Sequence, residues 1–110
     1  MIQFLYEKVG QDYLVAISGR MDATTAGEFD EQCEHWLSQD EIHILVDMGG
    51  VEYISSAGLR SILNAAKKLR ARGGDICFFG LTGLVADVFQ LSGFSTIFNV
   101  FETREQALGG

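Results

Sequence analysis

Proline is absent from this chain and cysteine occurs only twice. Without proline, and with no low-complexity stretch, nothing reads as a stiff spacer between folding units. Cys33 lies in a charged segment and Cys77 inside the apolar run Ile76-Cys77-Phe78-Phe79, with no Cys-x-x-Cys spacing, so neither a zinc site nor a disulfide framework is indicated. Basic residues are also scarce: 8 Lys and Arg stand against 15 Asp and Glu, a net charge of -7. That balance argues against nucleic acid or an anionic membrane surface as the main partner, because both are held by clustered cations. Lys67, Lys68, Arg70 and Arg72 do cluster, but in what read as the last turns of a helix, where cations complement the negative end of the dipole. No apolar run approaches the roughly 20 residues that span a bilayer, and no N-terminal stretch has the flanks of a secretory signal. A cytoplasmic location without membrane insertion is the expectation.

The common catalytic templates are missing too. There is no Gly-x-Ser-x-Gly elbow, no phosphate-binding loop with its lysine, no Gly-x-Gly-x-x-Gly after a strand and no His-Glu-x-x-His. His35 falls in an acidic helix beside Trp36, and His43 alternates with apolar residues in a strand, so neither sits in a catalytic constellation. The chain is expected not to be an enzyme and to need no cofactor or metal.

What is present is apolar material, 47% of 110 residues, enough for one core and one domain. Ile2 to Val9 and Tyr13 to Ser18 read as a hairpin turning at Gly10-Gln11-Asp12. Phe29, Cys33, Trp36 and Leu37 share one face of a first helix, with Thr24 or Thr25 as cap and Glu28 placed to complete a capping box with Thr25. Ile42 to Asp47, bounded by Gly49-Gly50, reads as a strand buried on both faces. A second helix ends at Gly73-Gly74, and Asp75 to Gly80 is another buried strand. A short helix follows through Leu84, Val85, Val88, Phe89 and Leu91, capped by Thr82 and ended by Gly93. Ile97 to Phe101 reads as a last strand, and Thr103-Arg104-Glu105-Gln106 as a capped terminal turn. This alternation predicts an α/β fold: a mixed sheet of about five strands with an N-terminal hairpin, packed by about four helices.

The most informative stretch is Val51-Glu52-Tyr53-Ile54-Ser55-Ser56-Ala57-Gly58-Leu59-Arg60, where an apolar run ends in two serines that open the second helix. Serine is a preferred N-cap, and a hydroxyl there stabilises a helix by roughly 0.5–2 kcal/mol. The same position suits an anion, since the first helical amides lack partners and the dipole is positive. Plain capping and phosphate carriage are both open for this pair. Gly58 in the first turn suits a place where a docking partner must approach closely. Asp22 and Asp47, each where a strand is expected to give way to a loop, stand where functional groups gather in α/β sheets, or else turn their own loops.

Taken together, these blocks resemble the STAS domain of the bacterial anti-sigma factor antagonist family, over nearly the whole of residues 1–110. Gly19-Arg20-Met21-Asp22-Ala23-Thr24-Thr25-Ala26 resembles the family's loop before its first helix, Ile44 to Met48 its central strand, Tyr53 to Leu59 its signature, and Gly80-Leu81 through Leu91-Ser92-Gly93-Phe94 its late helix and turn. The resemblance implies a protein that binds an anti-sigma serine kinase of the histidine-kinase-like ATPase fold and so frees a sigma factor. Phosphorylation of the signature serine, Ser56, would break the complex, and a PP2C-type phosphatase would reset it. The resemblance places Asp22 and Thr24 on the docking face, beside Ser55, Ser56, Ala57, Gly58 and Arg60. The family often carries Asp just before the target serine; here Ser55 stands there and offers a second hydroxyl. Because STAS domains are reused, the alternative is a docking subunit of a transporter or other assembly in which Ser56 is only a cap.

Overall fold

The computed structural model describes residues 2–109. Five strands form one sheet in the order β1-β2-β3-β4-β5, with β1 (Ile2–Val9) antiparallel to β2 (Asp12–Met21) and every later neighbour parallel. The hairpin turns at Gly10, whose φ of +60 suits glycine. Each parallel step crosses over through a helix: α1 (Ala26–Ser38) leads to β3 (His43–Ile54), α2 (Ser56–Ala71) to β4 (Asp75–Phe79), and α3 (Gly83–Leu91) with α4 (Phe94–Ile97) to β5 (Val100–Phe101). Successive right-handed crossovers that advance in one direction put their helices on one face of the sheet. Accordingly Val15, Ile17, Ile44, Val46, Ile76 and Phe78 share a core with Phe29, Trp36, Ile62, Leu69, Val85 and Phe89. The opposite face has a smaller cluster, Leu14, Leu45 and Phe79, against which Val9, Cys77 and Phe101 pack from the sheet and Ala107 and Leu108 from the end of α5 (Arg104–Ala107) and its cap. The architecture is a single α/β domain with a five-stranded mixed sheet, as the alternation of segments predicts.

Several local expectations are corrected. Gly49-Gly50 does not end β3, which runs on to Ile54 and pairs with β2 through two register shifts. A Cβ on Gly50 would lie 2.8 Å from the Ser18 Cβ and 2.9 Å from the Ile17 carbonyl, so glycine admits this irregular pairing rather than breaking the strand. Asp47 is consequently in mid-strand on the thinly covered face, its Oδ1 accepting from the Gly49 N–H at 2.9 Å. The last strand is only Val100–Phe101, because Ile97 belongs to an additional short helix, α4, that buries Phe94 against Phe89 and Phe98. In α3 the buried residues are Val85 and Phe89, while Leu84 and Leu91 are 67% and 88% exposed. That helix is apolar on more than one side, and the sheet can cover only one of them.

Both long helices end alike. After α2, Gly73 takes φ +84, its N–H donates to the Arg70 carbonyl, and the Gly74 N–H donates to that of Leu69. After α1, Asp40 takes φ 57, its N–H donates to Leu37, and the Glu41 N–H donates to Trp36. Each is a Schellman closure, with aspartate doing at α1 what glycine does at α2.

Candidate functional site

Because β2 and β3 are parallel neighbours, they end together: Arg20 pairs with Tyr53 and Met21 with Ile54. The loops that leave them, one carrying Asp22 and the other Ser55-Ser56, therefore meet at the same edge. The Ser55 N–H donates to the Met21 carbonyl at 2.8 Å and ties them together.

The two serines divide the roles left open by the sequence. Ser55 is the N-cap of α2, half-buried, with extended backbone (φ -99, ψ 175) and an Oγ that accepts from the Gly58 N–H at a long 3.4 Å. Ser56 is the first helical residue and is exposed, and among the described residues its hydroxyl has no hydrogen-bond partner. It stands over free helical amides at the positive end of a 16-residue helix. Ala57 is half-buried, and Arg60, one turn further along, is exposed.

Gly58, expected on the docking face, is buried. A Cβ there would stand 2.8 Å from the Met21 carbonyl oxygen and 2.9 Å from Ile54 Cγ1. The close approach it permits is internal: the first turn of α2 rests on the end of β2, which fixes where Ser56 points.

Across the edge, Asp22 organises its own loop. Its Oδ1 accepts from the Thr24 N–H at 2.9 Å and the Thr24 hydroxyl at 2.6 Å, an Asx turn. These bonds, the hydroxyl's first, hold the Asp22 carboxyl below its ordinary value, and the Arg20 guanidinium, 3.7 Å from Oδ2, contributes less. Thr24 is exposed, with its hydroxyl committed to Asp22. Thr25 forms no capping box with Glu28: its backbone is helical (φ -114, ψ -11) and its hydroxyl makes no cap bond. Buried, that hydroxyl donates instead to the Arg20 carbonyl at 2.6 Å and accepts from the Asp22 N–H at 2.9 Å, bracing the loop from beneath.

Three residues to which the sequence reading gave no role of their own join this edge. The Arg20 guanidinium lies 4.3 Å above the centre of the Tyr53 ring, which orients it toward Asp22. Strand alternation placed both side chains together, a signal visible in the sequence only once the register is known. Leu84 adds an exposed apolar group in the first turn of α3, after the adjacent β4.

The arrangement presents the Ser56 hydroxyl with no base hydrogen-bonded to it among the described residues. His35, in the last turn of α1, and His43, at the start of β3, belong to the other edge, away from the serines. Among the described residues no group of three or more His, Cys, Asp or Glu is placed to hold a metal ion, and no helix is long and apolar enough to cross a membrane. Burial raises both thiols, Cys33 to about 11, so neither is a ready nucleophile at neutral pH.

Known proteins of the same kind can now be set beside this geometry. The family model described as the STAS domain matches residues 3–107. A Bordetella bronchiseptica protein, BtrV, described as a candidate anti-sigma factor antagonist, is 33% identical over 101 residues, 92% of this chain and 87% of that one. Among solved structures, an anti-sigma factor antagonist from Mycobacterium paratuberculosis superposes with a TM-score of 0.88 at 21% identity, covering 99% of this chain and 92% of the other. The Bacillus cell fate determinant SpoIIAA in its phosphorylated form gives a TM-score of 0.73 at 19% identity, with 97% of each chain covered. At such identities these two show the shared fold. The family model, the Bordetella relative and the common fold agree, and the chain belongs to the STAS domain family, within its anti-sigma factor antagonist group.

Proposed function

We propose that this chain is a phosphorylation-controlled antagonist: unmodified, it binds an anti-sigma serine kinase of the histidine-kinase-like ATPase fold and so frees a sigma factor. Phosphorylation of Ser56 ends that binding, and a PP2C-type phosphatase restores it. The observation that carries this reading is the division between the serines. Ser55 is occupied in capping α2, whereas Ser56 is exposed and unbonded at the helix start. A phosphoserine there adds about -1.5 to -2 charges and three acceptor oxygens, which the helix end tolerates and a dry or acidic partner surface does not. Asp22, Thr24, Ala57 and Arg60 would frame the contact, with Gly58 setting the position of the helix from inside. That SpoIIAA, a protein of this fold, exists in a phosphorylated form supports the reading.

Incubation with candidate anti-sigma kinases and ATP, followed by peptide mass spectrometry, tests it. One phosphate on Ser56, lost in Ser56→Ala and retained in Ser55→Ala, is the expected result. Absence of modification, or its confinement to Ser55, overturns the assignment. Capture of a transporter as main partner, with no kinase, would favour the docking-subunit alternative.

A further inference from the structure

In a chain where acids outnumber bases 15 to 8, an unpaired arginine is informative. Six of the eight basic side chains are engaged: Lys8 with Glu41, Arg20 with Asp22, Lys68 with Glu34, Arg70 with Asp75, Arg72 with Asp40 and Arg104 with Glu7. Arg60 and Lys67, both on α2, have no carboxylate partner among the described residues. Of the two, Arg60 is exposed one helical turn after Ser56. Residues four apart lie on the same helix face, and long helical side chains lean toward the N-terminus, so a guanidinium at position 60 has the turn that begins at Ser56 within reach. An anion N-terminal to a cation at this spacing is the favourable order.

We propose that Arg60 is an intramolecular clamp for the phosphate on Ser56, a positioning residue that holds the modified state in one conformation over the helix end. The inference rests on the reading of Ser56 as the modified residue and says how the modified state is maintained. Two N–H donors of the guanidinium can meet two phosphate oxygens, while the free amides of the first turn meet the third. In the unmodified protein Arg60 faces solvent or partner; in the modified protein its charge is consumed within the chain, so one modification both adds negative charge and withdraws a positive one from the same surface. Arg20 is the competing cation at this edge, but it is stacked on Tyr53 and directed to Asp22.

The test needs no kinase. Phosphoserine is placed at position 56 by genetic encoding, and the phosphate is titrated by phosphorus NMR in the otherwise native chain, in Arg60→Gln and in Arg20→Gln. A guanidinium within reach favours the dianion, so the titration midpoint is expected to rise by roughly 0.3–0.7 pH unit in Arg60→Gln and to stay unchanged in Arg20→Gln. Equal midpoints in the native chain and Arg60→Gln, or a shift confined to Arg20→Gln, overturn the clamp. These results are independent of whether any kinase modifies Ser56, so failure of the clamp and failure of the proposed function remain distinguishable.

Discussion

The two edges of the parallel sheet are built from similar parts and finished differently. At the edge where β2, β3 and β4 begin, α1 and α2 end in matching Schellman closures, and their charges are engaged: Arg70 with Asp75, Arg72 with Asp40, Lys8 with Glu41. Gly74 is pressed so closely on Ile42 that a Cβ would fall 2.0 Å from its carbonyl oxygen. At the edge where the strands end, Ser56 has no hydrogen-bond partner and Arg60 no counter-ion among the described residues, and Leu84 is exposed. One edge satisfies its groups internally and the other holds groups in reserve. The difference supports the proposed placement of a partner at the second edge, since unmet hydrogen-bonding and apolar groups beside a rigid scaffold are what an interface uses.

Substitutions can break or sharpen this contrast. The largest effect is expected at the closed edge: Gly74→Ala drives a methyl into the Ile42 carbonyl and should cost about 3 kcal/mol or more, read as a lower urea midpoint. Gly58→Ala comes next, because relief of glycine's poor helix propensity, about 1 kcal/mol, offsets part of the clash with Met21. A net loss of about 1–2 kcal/mol is expected, with weakened kinase binding as α2 shifts. Stabilisation by this variant would show that the close approach is not needed. Ser55→Ala should lose about 1 kcal/mol of capping, whereas Ser56→Ala should stay within about 0.5 kcal/mol in urea unfolding and yet abolish phosphorylation. Equal losses for the two serines would erase the division between them.

The smallest effect concerns pH. The Asp22 carboxyl is held below its unfolded value, so its contribution to the loop is present above the ordinary carboxylate range and lost as pH falls through the lowered folded value. The Thr24 amide resonance should accordingly titrate with a midpoint below that of an unperturbed aspartate, and the transition should vanish in Asp22→Asn. A midpoint at or above the ordinary value would mean that the Asx turn does not hold in solution.

Much of the fold was legible because the signals were local. Hydrophobic periodicity marks α2, β-branched and aromatic runs mark the hairpin, and Gly73 marks the end of α2 through its left-handed backbone. What escaped was set by partners distant in sequence. Nothing local tells that Asp40 closes α1 as glycine would, because its φ is supported by Arg72 and the chain turning into β3. Nor does the pattern of α3 say that Leu84 and Leu91 remain outside, since an all-apolar helix does not announce which side the sheet will take. Thr25 reads as the head of a capping box until the carbonyl of Arg20 claims its buried hydroxyl.

The sequence by itself determined the order of the five strands and of every helix but α4, the family resemblance, and the placement of two serines at a helix start, because each depends on residues near one another along the chain. Only the tertiary structure decided which serine is free. Pairing of β2 with β3 brings Met21 under α2, Gly58 lets the helix settle there, and the resulting backbone turns Ser55 inward as the cap and leaves Ser56 facing solvent. It likewise left Arg60 without a counter-ion among the described residues, since a missing counter-ion is a property of everything that surrounds a charge and not of the residues next to it in sequence.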